Sequence, residues 1–218
     1  AASEDVTKDP TTISPVDFQN AYGRAYRSDM LAGMQLFAPS AAGLAAAQWA
    51  NPTTAWVSRP GGKHKLVHLK RGGWQGQRMM MVAFPAGLEI ALAWSTRIKT
   101  PLKIVPSAVP ARGVEKFVFA NHALSSADER VPRVCLLDDL TLIGPASQVQ
   151  RALLELPEVI ARSGHKVQME KSSAWVPAAD PLDDQQLPEA LKGLFDTVQR
   201  ARCSVELLGG GAFTDFST

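Results

Sequence analysis

Cysteine is scarce in this chain. Only Cys135 and Cys203 occur among 218 residues, both in apolar, strand-like runs. Such residues read as small buried hydrophobes rather than a disulfide, which suits a reducing compartment. The four histidines, His64, His68, His122 and His165, fall in no HExxH or Cys/His ligand spacing, so no zinc site is expected. No apolar run reaches the roughly 18 residues that a membrane span requires. The polar opening, AASEDVTKDPTT, is unlike a secretory signal. Together these absences predict a soluble intracellular protein. Strong net charge is lacking too, since a balance of +2 does not by itself demand an anionic partner. Internal repeats and low-complexity tracts are also absent. What remains is 45% apolar and 20% charged, a composition able to build a sizeable core. The length fits one domain, or one domain plus a fragment of another.

The most informative stretch is Val134-Cys135-Leu136-Leu137-Asp138-Asp139-Leu140-Thr141-Leu142-Ile143-Gly144. An apolar run enters two adjacent carboxylates and an alternating apolar run leaves them, which predicts a tight hairpin with the acids at its tip. Asp is a common turn residue, so a solvated turn accounts for the pair as it stands. Two charges beside a buried face otherwise require a cation, and hard divalent ions suit carboxylate oxygens. The second reading needs a third carboxylate and a substrate surface elsewhere in the chain.

Asp17, in Ile13-Ser14-Pro15-Val16-Asp17-Phe18-Gln19-Asn20-Ala21-Tyr22, is that third carboxylate, although an Asp before a helical run also serves as a cap. Residues 1–12 read as a flexible lead-in and 213–218 as a tail. Helices are expected over 28–37 and 39–49, and a β-hairpin over 54–70 turning at Pro60-Gly61-Gly62. Lys63, Lys65, Lys70, Arg71 and Arg78 lie between Pro60 and Leu88 with no acid among them. This basic stretch suits phosphate contacts, or equally a lysine-protected hairpin edge. The glycine-rich loop 72–76 then delivers a long buried helix over 79–94. Residues 98–130 read as an irregular insertion with one strand at 116–120. After the acidic hairpin come a helix from Pro145 to about Ser163, apolar at Val149, Leu153, Leu154, Leu156 and Ile160, and a Gly164 cap. A strand over 165–169, a polar linker, a helix near 188–202 and a strand over 204–208 complete the chain.

In this order the motifs resemble the palm of reverse transcriptases, most closely those of non-LTR retrotransposons. Asp17 followed by Ala21 and Tyr22 is similar to the first catalytic motif, and Gln75-Gly76 with Phe84 to the second. Leu136-Leu137-Asp138-Asp139 is similar to the aromatic-x-Asp-Asp motif, Gly164 through Gln168 to Lys171 to the next, and Leu207-Leu208-Gly209 to the primer grip. The resemblance spans about residues 13–212. It departs at Leu136, where the family has an aromatic, at Gln77-Arg78, where it has Asp-Pro, and at Pro15 inside a central strand.

The resemblance implies an α+β polymerase palm, an antiparallel sheet backed by helices. It implies RNA-templated DNA synthesis by two-metal nucleotidyl transfer, with two Mg2+ or Mn2+ held by Asp17 and Asp138, and Asp139 assisting. Tyr22 is expected beneath the incoming sugar, Gln75 and Gly76 along the nascent base pair, and Lys171 at the departing pyrophosphate. Lys63, Lys65, Lys70, Arg71, Arg78, Leu208 and Gly209 are expected to hold the RNA template and DNA primer, in the nucleus or cytoplasm. In the family, fingers strands precede the first motif, whereas sixteen residues precede Asp17 here. The expectation is therefore a palm-centred fragment that does not polymerise alone. Two other readings stay open: a non-catalytic nucleic-acid-binding or protein-interaction module from a degenerate retroelement, and a nucleotidyl cyclase-like two-metal phosphotransferase.

Overall fold

The first ordered strand, β1 (Thr11–Val16), is the axis on which the molecule is built. The computed structural model describes residues 9–51, 53–73, 77–105, 116–120, 129–176, 189–191, 194, 198–200, 205–207 and 210–212. After β1 come helices α1 (Ala21–Arg24), α2 (Arg27–Phe37) and α3 (Pro39–Trp49), then the hairpin β2 (Thr53–Ser58) and β3 (His64–Leu69). Helix α4 (Met80–Leu92) leads to β4 (Leu102–Val105) and β5 (Lys116–Phe119), then to β6 (Arg133–Leu136) and β7 (Asp139–Pro145). Helix α5 (Ala146–Ala161) precedes β8 (Ala174–Val176), β9 (Val198–Arg200), β10 (Val205–Leu207) and β11 (Gly210–Ala212). The main sheet has the order β6-β7-β1-β8-β9. Its pairs are antiparallel except β8 with β9. The class is α+β.

The alternation in β1 and β7 decides which face is covered. Val16 pairs with Leu140 and Ser14 with Leu142, and all four are buried on one face. Helix α5 packs against this part of the sheet, burying Ala146, Val149, Ala152, Leu153, Leu156, Val159 and Ile160 at helical spacing. Its start is fixed by Asp9, whose carboxylate accepts from the Ser147 amide at 2.8 Å and hydroxyl at 2.6 Å. The opposite face carries Pro15 against Thr141 and, on β6, the exposed Val134 and Leu136.

Pro15 sits in the middle of the sheet, and its missing N–H is compensated. Ser173 donates its amide to the Pro15 carbonyl at 3.1 Å. The reciprocal bond, which proline is unable to donate, is replaced by the Ser14 hydroxyl donating to the Ser173 carbonyl at 2.9 Å. Elsewhere in the core, α2 lies hard against α4. A Cβ at Gly33 would stand 2.1 Å from the Ala86 carbonyl oxygen, so only glycine permits this approach.

Several expectations need correction. Residues 9–12 are built into the fold rather than a loose lead-in, while 1–8 lie outside the described residues. The 98–130 insertion contains β4 as well as β5, paired from Leu102–Phe119 to Val105–Lys116. The run Leu-Lys-Ile-Val is short and stands between Pro101 and Pro106, which hid it. Leu154 is exposed at 62% rather than part of the α5 apolar face, because it lies off the 3.6-residue stripe. The strand expected over 165–169 is a single bridge from Val167 to Phe18; the paired strand is β8, five residues beyond. Of the helix expected near 188–202, the described residues form a 3-10 turn at Glu189–Leu191, a turn at Leu194 and β9 at Val198–Arg200, and the others lie outside the described residues. Gly210 and Gly211 lie in β11, which pairs antiparallel with β10.

Candidate functional site

The β6–β7 turn is two residues long, Leu137-Asp138, with Leu136 paired to Asp139. Leu137 adopts φ 58, a left-handed conformation uncommon for a branched side chain, and so the tip is held in an unrelaxed shape. Pairing of Val16 with Leu140 brings the end of β1 level with this tip. Asp17 follows directly, clamped on both sides by backbone bonds: its amide donates to the Ser172 hydroxyl at 3.0 Å, and its carbonyl accepts from the Gln168 amide at 2.8 Å. Ser172 in turn donates its hydroxyl to the Gln168 carbonyl at 3.0 Å, closing the 168–172 turn under Asp17.

These elements enclose an open cleft of about 550 Å³ lined by Asp17, Phe18, Asn20, Tyr22, Asp138, Gln168 and Lys171. Two carboxylates separated by roughly 120 positions in sequence thus face one space. Asn20 adopts φ 48, and its left-handed turn sends the chain from the strand into α1, carrying Tyr22 back over the cleft. The Tyr22 hydroxyl donates to Asp138 Oδ1 at 3.1 Å. Burial first, and then the charges of Asp138 and Asp139, push the Tyr22 hydroxyl up to about 12, so it stays a protonated donor at neutral pH. Beneath it, Tyr22, Phe84, Phe18 and His165 form a contiguous aromatic floor, with Tyr22 and Phe84 ring centroids 4.9 Å apart.

Asp139 stands at the rim. Its carboxyl lies above the ordinary range, raised by partial desolvation first and then by Asp138 and Asp17. The residue is exposed, so water screens much of that effect. Among the described residues none of the three aspartates is ion-paired. Nor do these residues include a group of three or more His, Cys, Asp or Glu side chains set to hold a metal ion. The arrangement is two carboxylates in the cleft with a third beside them, all oxygen donors and none in an ion pair among the described residues. That donor chemistry fits a hard divalent cation better than a soft one.

The β2–β3 hairpin reaches the cleft through the glycine-rich loop, by a route the sequence did not reveal. Gly72 donates its amide to Ala25 O at 2.8 Å, and Gly73 to Tyr22 O at 2.9 Å. A Cβ at Gly72, φ +62, would fall 2.3 Å from the Tyr22 carbonyl oxygen. The close approach Gly72 permits is to the backbone of α1, and Leu69 and Gly73 lie in the cleft wall. Lys63, Lys65, Lys70, Arg71 and Arg78 are exposed outside the cleft lining. Gln75, Gly76, Leu208 and Gly209 lie outside the described residues. Sequence reasoning missed Asn20 and Ser172; the readiness of Asn for left-handed turns was the available signal for the first, and none existed for the second.

Among the described residues no helix is long and apolar enough to cross a membrane. No known protein-family model matches the chain, and no curated protein matches it.

Proposed function

We propose that this chain is a polymerase-type palm that performs, within a reverse transcriptase, RNA-templated DNA synthesis by two-metal nucleotidyl transfer. The observation that carries the reading is the convergence of Asp17 and Asp138 on one cleft with Tyr22, Gln168 and Lys171. The order of motifs in the sequence adds independent support. Asp17 and Asp138 would hold Mg2+ or Mn2+, with Asp139 adding negative charge nearby. Bound there, the ions would supply Lewis-acid stabilisation of the attacking and leaving oxygens.

The chain's own residues have separate tasks. The Tyr22 hydroxyl holds Asp138 in place, while its ring narrows the cleft where a sugar would lie, disfavouring a 2′-hydroxyl. Lys171, exposed at the cleft edge, offers a cation or proton to departing phosphate. The floor of Phe18, Phe84 and His165 excludes water from beneath the carboxylates. A binding module without catalysis is the competing reading, favoured by Gln77-Arg78 standing where the resembled family has Asp-Pro.

Templated nucleotide selection separates the two. A dideoxy-terminated DNA primer on an RNA template is bound with Mg2+, and each deoxynucleoside triphosphate is added in turn. The complementary nucleotide is expected to make the complex more resistant to salt, and the other three to leave it unchanged. Equal effects of all four would overturn the polymerase reading.

A further inference from the structure

The two cleft carboxylates are oriented by different means. Asp138 is held at its own carboxylate, which accepts from the Tyr22 hydroxyl. The Asp17 carboxylate accepts no hydrogen bond among the described residues. That residue is held by its main chain instead, its amide donating to Ser172 and its carbonyl accepting from Gln168. The direction of its Cα–Cβ bond, and so the reach of the carboxylate, is therefore set by the segment lying beside it.

That segment runs out of step with β1 and its continuation. The Gln19 amide donates to the Lys166 carbonyl and the Gln168 amide to Asp17, but the next main-chain bond runs from Ser173 to the Pro15 carbonyl. Five steps along one chain, Gln168 to Ser173, thus answer two along the other, Asp17 to Pro15. The surplus is extruded as a turn in which the Gln168 carbonyl accepts from the Lys171 amide, the Ser172 amide and the Ser172 hydroxyl, at 3.0, 3.1 and 3.0 Å. Extra residues in one strand interrupt the ladder and re-aim a side chain. Here the interruption gives the Asp17 amide a side-chain partner rather than a carbonyl, and the residue carried into the cleft lining is Lys171.

One hydroxyl joins the two effects. Ser172 is 5% exposed, and a hydroxyl can accept and donate at once. Its oxygen accepts from the Asp17 amide while its proton goes to the Gln168 carbonyl, so it holds Asp17 and closes the turn that bears Lys171. We infer that Ser172 is a positioning residue, whose hydroxyl fixes the Asp17 carboxylate and the Lys171 ammonium relative to one another, so that a cation bound at the first presents its phosphate to the second. This inference rests on the proposed function for the cation and the phosphate. Replacing the hydroxyl leaves the Asp17 amide without a partner and releases the turn together.

The experiment measures, by calorimetry on the full-length chain, the binding of Mn2+ alone and of the Mn2+–pyrophosphate complex. Ser172→Ala is expected to weaken Mn2+ roughly tenfold, the low end for losing a group that orients a metal ligand. It should weaken the pyrophosphate complex by roughly a further tenfold, as Lys171 loses a charged contact. Ser172→Thr keeps the hydroxyl and should recover most of both. Ser14→Ala removes another buried hydroxyl from the same pair of segments, the one that donates to the Ser173 carbonyl, without touching Asp17 or the turn. It should lower the melting temperature yet leave both isotherms at wild-type values, which separates positioning from general loosening. Thermal melts establish that each variant is folded at the titration temperature. Wild-type isotherms for Ser172→Ala, or equal weakening by Ser14→Ala, would overturn the inference and leave the cation site in place. A wild-type chain that binds no Mn2+ would overturn the proposed function and the inference together.

Discussion

Acidification should weaken this protein through His165. The ring is 4% exposed, packed against Phe18 and Phe84, and its Nδ1 has no hydrogen-bond partner among the described residues. Burial, with the charge of Arg24 adding to it, lowers the imidazole from 6.5 to about 4. Above pH 6.5 the ring is neutral whether the chain is folded or not, and it adds no pH dependence. Between 6.5 and about 4 the unfolded chain takes up a proton that the folded chain refuses, so stability falls as pH falls. Below about 4 both states are protonated and the loss is complete. At ~1.4 kcal/mol for each pH unit crossed, the total is about 3 kcal/mol, a large share of a typical domain's ~5–15 kcal/mol. Urea denaturation of the wild type and of His165→Leu across this range isolates the effect, since other titrating groups are common to both. The stability difference should shift in favour of the variant by about 3 kcal/mol between neutral and acid ends. Parallel pH profiles would refute the reasoning and place the ring in contact with water.

Three further outcomes follow from the packing. Gly33→Ala should force α2 away from α4 and cost roughly 1–3 kcal/mol in denaturant melts, because the new methyl meets backbone rather than a movable side chain. Arg133 on β6 pairs with Glu89 on α4, both largely buried, so Arg133→Met alone should cost about 3–5 kcal/mol; adding Glu89→Leu should recover much of that in a double-mutant cycle. Tyr22→Phe keeps the ring but removes the donor to Asp138, and should weaken Mn2+ binding by calorimetry roughly tenfold or more while leaving the melting temperature without metal nearly unchanged.

How much was legible in the sequence depends on how local the signal was. The acidic hairpin, α2, α3, α4, α5 and the β2–β3 ribbon carry their own periodicity and turn residues, and their bounds agree with expectation within a few positions. The placement of Asp17 beside Asp138 was inferred from motif order, and the β1–β7 register supplies its geometry. What failed was non-local. The strand expected over 165–169 was displaced because Gln168 and Ser172 spend their hydrogen bonds holding Asp17, leaving Ala174–Val176 to pair. The tolerance of Pro15 depends on Ser14 reaching Ser173, a partner 159 positions away that no local pattern encodes. Residues 198–200 pair in parallel with β8, a long-range partner that local pattern does not encode either.

The central claim is that Asp17 and Asp138 form a cation site, and calorimetric titration with Mn2+ tests it most directly. The account predicts saturable binding to the wild-type chain, abolished in Asp17→Asn/Asp138→Asn. That variant should also melt at or above the metal-free wild type, because replacing two neighbouring carboxylates removes their repulsion. Mn2+ should raise the melting temperature of the wild type alone, since a ligand held only by the folded state stabilises it. An identical Mn2+ isotherm for both proteins would contradict the account.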